Sequence, residues 1–68
     1  MSVTNETLLL RITFDRNIFG GKPIIRGMRI SVAMILELLS KGATMQEILE
    51  DYPDLEIADL YAALQWGN

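Results

Sequence analysis

The punctuation between Ser31 and Gly67 constrains this chain most. Ser31 is a helix N-cap ahead of an apolar run, and Gly42 suits the left-handed position after a helix end. Thr44-Met45-Gln46-Glu47 fits a capping box, and Pro53 stops the helix that follows. Met45, Ile48, Leu49 and Tyr52 recur at i, i+3, i+4 and i+7. Ile57, Leu60, Tyr61 and Leu64 repeat the same spacing, and Gly67 stops the stripe. These signals predict helices over 32–41, 45–52 and 56–66, joined by tight turns.

Ahead of the helices the pattern changes. Leu8, Leu10, Ile12 and Phe14 alternate with Leu9, Arg11 and Thr13, and period two over residues 8–14 predicts a strand. Asp15, Arg16 and Asn17 supply turn residues. Gly20, Gly21, Lys22 and Pro23 break both helix and strand, so they form a loop. Ile24-Ile25 and Met28-Arg29-Ile30 are short extended pieces around Gly27. They make either a small hairpin or one bent strand pairing with 8–14. The expected fold class is mainly α: one domain over 1–68, with flexible residues 1–7, one or two short N-terminal β-strands and a loop over 8–30, and three helices over 31–66. The turn of about three residues between the last two helices fits a helix-turn-helix.

Composition narrows the function. The 68 residues are half apolar, carry a net charge of −3 and include neither Cys nor His. A disulfide scaffold and a Cys/His metal site are impossible. No imidazole is available as a base near neutral pH. The chain is therefore expected not to be an enzyme and to need no cofactor or metal; Asp51 and Asp54, beside Tyr52-Pro53, read as caps or solvated acids. Met28, Met34 and Met45 read as core filler. The longest apolar run away from the start, 32–36, is too short to span a bilayer, so a cytoplasmic protein without membrane contact is expected.

A domain this small hides only about 60% of its unfolded surface. The helix at 32–41 is apolar almost all round, which calls for cover from a partner subunit. A homodimer is expected, with Leu8, Leu10, Ile35, Leu38 and Trp66 as its interface candidates. Trp66 reads equally as a lid on the core. Ala58, Ala62 and Ala63 leave the last helix thin enough for a close neighbour.

Charge is segregated. Arg11, Arg16, Lys22, Arg26, Arg29 and Lys41 all precede residue 42 and meet three acids there, a balance of +3. Glu47, Glu50, Asp51, Asp54, Glu56 and Asp59 follow with no base, a balance of −6. Phosphate neutralisation by Lys and Arg supplies much of the affinity for DNA. An anionic last helix is repelled by the backbone, so any nucleic-acid contact falls to the N-terminal half. The acidic half is either a solvated surface or a docking face for a basic partner. Gly20, Gly21, Lys22 and Pro23 read as an anion-binding loop or as a plain structural turn. Arg26 and Arg29 flank Gly27, where a turn brings both to one side to grip phosphate or carboxylate. The alternative is two surface arginines lying over apolar neighbours.

The blocks Ile12-Thr-Phe-Asp, Gly20-Gly-Lys-Pro-Ile-Ile-Arg-Gly-Met-Arg-Ile30, Glu47-Ile-Leu-Glu-Asp-Tyr-Pro53 and Leu60-Tyr-Ala-Ala-Leu64 resemble domain-of-unknown-function family 433, from about Leu8 to Trp66. The resemblance implies a homodimeric helix-turn-helix domain of homeodomain-like or winged-helix-like style. It implies an antitoxin that binds and neutralises a PIN-like ribonuclease toxin and binds its own operator DNA. The family's Gly-Gly-Lys-Pro and Arg-Gly-x-Arg positions fall on Gly20 to Pro23 and Arg26 to Arg29, so Lys22, Arg26 and Arg29 are expected to bind DNA or toxin, joined from the basic half by Arg16 and Arg11, with Gly20, Gly21, Pro23 and Gly27 shaping the loop. The Arg26/Arg29 pair suits the acidic, metal-binding site of such a nuclease. A DNA-binding regulator without a toxin, or a protein-interaction module that does not touch DNA, are the alternatives. The chain departs from the family's habit at Arg16, where Pro is usual, at Met28, where Thr is common, and at Glu56, where Thr often caps the third helix.

Overall fold

A computed structural model describes residues 5–67. In chain order these form α1 (Asn5–Leu9), β1 (Ile12–Thr13), a 3-10 turn (Phe19–Gly21), β2 (Ile24–Ile25), α2 (Val32–Ser40), α3 (Met45–Asp51) and α4 (Ile57–Trp66). The architecture is mainly helical with one small antiparallel sheet, in which Ile12 faces Ile25 and Thr13 faces Ile24. Of the segment expected to be flexible, residues 1–4 lie outside the described residues, and the remainder begins α1.

The caps fall where the sequence places them. Ser31 Oγ accepts the Met34 N–H at 3.0 Å and opens α2. Thr44 and Glu47 form the reciprocal box that opens α3, at 3.1 and 2.9 Å. Gly42 follows α2 at φ +95°. The connection from α3 to α4 is five residues, 52–56, and Leu55 within it is buried.

The strand expected over 8–14 is corrected. Only Ile12–Thr13 is extended; α1 occupies the front of the segment, giving four helices rather than three among the described residues. Arg11 N–H closes a turn onto the Leu8 carbonyl at 3.0 Å and swings the chain into β1. Leu8 and Ile12 are four apart, a spacing that both helix and strand periods satisfy, so alternation alone cannot separate them. Leu10, which the strand reading puts on the same face as the buried Ile12, is 81% exposed.

Both readings of residues 24–30 hold in part. Ile25 pairs with β1, and its N–H also bonds the Ile30 carbonyl at 3.0 Å. Ile24 bridges Ser31. The reversal is a left-handed turn at Arg26 (φ +45°) and Gly27 (φ +72°), closed by Met28 N–H on the Ile25 carbonyl at 2.8 Å.

The hub of the molecule is α4, which packs against α1, α2, α3 and β1. Its Ala62 and Ala63 are fully buried, and their small side chains let these elements approach. The core joins Ile12, Ile25, Val32, Ile35, Ile48, Leu55 and Leu60 to them. None of the large apolar side chains of α2 is exposed. Its own chain covers most of the apolar surface of α2, leaving Met34, Leu36, Leu38 and Leu39 half-buried. Ile35 is fully buried and is corrected from an interface candidate to a core residue.

Candidate functional site

Backbone pairing brings Arg11 and Arg26 together. Arg26 N–H donates to the Arg11 carbonyl at 2.9 Å, where β1 and β2 meet the turn. Both side chains then reach the start of α4. Arg26 donates through Nε and Nη2 to Asp59, at 3.1 and 2.9 Å to Oδ1 and Oδ2, and its Nη2 also caps the Asp54 carbonyl at 2.8 Å. Arg11 Nη1 donates to Glu56 Oε1 at 2.6 Å and to Asp59 Oδ1 at 3.0 Å. Glu56 N–H donates to Asp59 Oδ2 at 2.8 Å. The Glu56 carboxylate pairs with Arg11, and the Asp59 carboxylate, at the third position of α4, accepts the Glu56 N–H at the helix start.

Asp59 is fully buried, and none of its polar atoms lacks a partner. Burial pushes its carboxyl up; the hydrogen bonds from Arg26, the Glu56 N–H and Arg11 outweigh that and hold it below the usual carboxylate range. The guanidinium of Arg11 is held further above its ordinary value, chiefly by the Glu56 bond. These two arginines are thus held by acceptors of their own chain, with their side chains partly exposed. The pair expected at Gly27 does not form a single grip, because the Arg26 guanidinium is spent on Asp59 and Asp54.

Lys41 is paired with Glu37 on α2, at 2.9 Å. That leaves Arg16, Lys22 and Arg29 exposed and without an ion-pair partner among the described residues. Arg16 lies beside the glycine turn: a Cβ on Gly21 would stand 3.8 Å from the Arg16 Cα. Phe19, Gly20 and Gly21 run successively at positive φ, and Phe19 is exposed at the turn.

A second surface is apolar. Ile57, Tyr61 and Leu64 form an exposed stripe on α4, and Asp59, the helix's one carboxylate, is turned inward. Beside the stripe runs an open groove of about 630 Å³, lined by Leu8, Leu36, Tyr61, Leu64, Gln65 and Gly67. Trp66 packs on Phe14 instead, with ring centroids 5.5 Å apart. It sits two residues from Leu64, about 200° round the helix, and so off this stripe.

A family model described as "Protein of unknown function (DUF433)" matches residues 12–66. The chain belongs to the DUF433 family. Neither the comparison with curated proteins nor that with solved structures finds a match. The DUF433 match begins at β1 and ends with α4, so it contains Arg26, Asp54, Glu56 and Asp59; Arg11 precedes it.

Asp59 is the residue of this DUF433 protein that sequence reasoning left as bulk negative charge. A signal was available: it lies among Leu60, Ala62 and Ala63 on the inward stripe of α4, three residues after the N-cap. An acid embedded in an apolar stripe needs cationic partners. Among the described residues no three acidic, His or Cys side chains gather as a metal site. No helix there is long and apolar enough to cross a membrane.

Proposed function

We propose that this DUF433 protein is a non-catalytic binding protein of the antitoxin type: a homodimeric helix-turn-helix domain that docks and silences a PIN-like ribonuclease toxin. The observation that carries this reading is the division of its cations. Arg11 and Arg26 are held by the buried Asp59 and Lys41 pairs with Glu37 at the surface, whereas Arg16, Lys22 and Arg29 stand exposed on loops with no ion-pair partner among the described residues. Unpaired cations on a rigid scaffold suit an acidic nuclease site, where Arg can pair with carboxylates. Lys22 and Arg29 take the role that the sequence assigned to Arg26 and Arg29. The α3–α4 pair, joined through 52–56, supports the helix-turn-helix reading of homeodomain-like or winged-helix-like style.

The test is co-expression with a PIN-like ribonuclease, the source genome being searched first for one beside this gene. The wild type is expected to co-purify with it and suppress RNA cleavage. Lys22→Glu/Arg29→Glu is expected to remain folded and lose both effects; unchanged capture by that variant defeats the assignment.

A DNA-binding regulator is the second reading, favoured by the same three cations. Helices α3 and α4 carry no base, so DNA contact would come from the loops. Gel shifts on the upstream DNA are then expected to weaken steeply with salt and to depend on Arg16, Lys22 and Arg29. Absence of any shift removes this reading.

A further inference from the structure

We propose that the outward face of α4 is the surface through which two copies of this chain meet about a two-fold axis. This rests on the homodimeric part of the proposed function and names the face that makes it. Ile57, Tyr61 and Leu64 fall within about 60° of helix surface, at spacings of four and three. All three are exposed, at 43, 48 and 39%. No charged side chain interrupts them, because Asp59 points inward.

The occupant follows from charge and shape. Each copy carries a net charge of −3, so two copies repel except where a face is free of charge. Helix α3 carries Glu47, Glu50 and Asp51, and Arg11–Glu56 flanks the α4 start. The α4 stripe itself carries no charge. Shape makes it self-complementary: Tyr61 and Leu64, which with Ile57 form the ridge, are also one wall of the groove, whose other side is Leu8 and Leu36. Rotation by 180° lays each ridge into the other copy's groove, as helices pack ridges into grooves. A standard interface takes about 800 Å² from each partner, roughly a sixth of this chain's 4672 Å². The face therefore keeps Leu8 as an interface residue. It leaves out Ile35, which is core, and Trp66, which faces Phe14. The loops with Lys22 and Arg29 stay outside it.

Light scattering at micromolar concentration tests this. The wild type is expected at twice 7.7 kDa. Tyr61→Glu and Leu64→Glu, each checked for helicity by circular dichroism, are expected at the monomer mass. Lys22→Glu/Arg29→Glu is expected to stay dimeric. Because the chain has no cysteine, Tyr61→Cys adds a single thiol, and a short bismaleimide is expected to join two copies through it. Arg29→Cys is expected not to cross-link, and this arm decides the matter if the glutamate variants fail to fold. A monomeric wild type overturns the dimer itself. A dimer that survives both glutamate substitutions, or a Tyr61→Cys protein that stays uncoupled, overturns the face. Failure to capture a ribonuclease touches neither result.

Discussion

Arg26 and Asp59 form a two-pronged ion pair, Nε to Oδ1 at 3.1 Å and Nη2 to Oδ2 at 2.9 Å, across 33 residues of sequence. The carboxylate is fully buried while the guanidinium remains partly in contact with solvent. The pair fastens the turn at Gly27 to the first turn of α4, the helix on which the rest of the molecule packs. The basic front of the chain and its acidic tail are therefore stitched together, not left as separate surfaces.

Removing the cation strands a buried charge. Arg26→Met is expected to destabilise the protein by about 3 kcal/mol, since Asp59 keeps only Arg11 and one backbone N–H. Arg29→Met, at an exposed and unpaired position, is expected to change stability by no more than about 0.5 kcal/mol. Urea unfolding of the two variants separates them; equal midpoints contradict the structural role of Arg26.

Acid is expected to weaken the fold through Asp59. Its folded-state value is depressed, so the native protein binds fewer protons than the unfolded chain between the two values. The stabilisation is complete above the ordinary carboxylate value, about 3.9, and is lost as pH falls through the lower folded value. Glu47 is shifted the same way, by the Thr44 N–H and then its hydroxyl, and adds to the slope. Thermal unfolding between pH 7 and pH 2 reads this. Asp59→Asn is expected to flatten the decline, and an unchanged slope in that variant counts against it.

The turn that aims Arg26 depends on its glycine. Gly27 stands at φ +72° with open space around its Cα, and its N–H bonds Thr13 Oγ1 at 2.8 Å. Gly27→Ala is expected to cost about 1 kcal/mol through backbone strain alone. A shift toward greater stability in a melting experiment would show that the turn is not left-handed.

Ser31 holds the first turn of α2 by one hydrogen bond from Met34 N–H. Ser31→Ala is expected to lose about 1 kcal/mol, and Ser31→Asp to retain most of it. Chemical denaturation of both variants checks the cap; identical losses would mean that the oxygen is not what matters.

The helical half was legible because its signals are local. Ser31, the Thr44–Glu47 box, Pro53 and Gly67 each act on neighbouring backbone groups; α2 and α3 begin, and α3 and α4 end, within two residues of them. Residues 8–14 misled because Leu8 and Ile12 satisfy two periods at once, and only packing on α4 decides between them. The candidate site was half legible. Lys22, Arg16 and Arg29 are exposed cations as the pattern suggests, but nothing local reveals that Arg26 is taken by a residue 33 positions away.

Local chemistry alone set the boundaries of α2, α3 and α4, the glycine loop and the imbalance of charge along the chain, since caps, turns and side-chain charges need only near neighbours. Tertiary structure decided that Asp59 is buried, that Arg11 and Arg26 are its partners, and that α2 is mostly covered by its own chain while α4 keeps an apolar face outward. Those outcomes depend on which distant segments meet, and contacts between distant segments leave no period in the sequence.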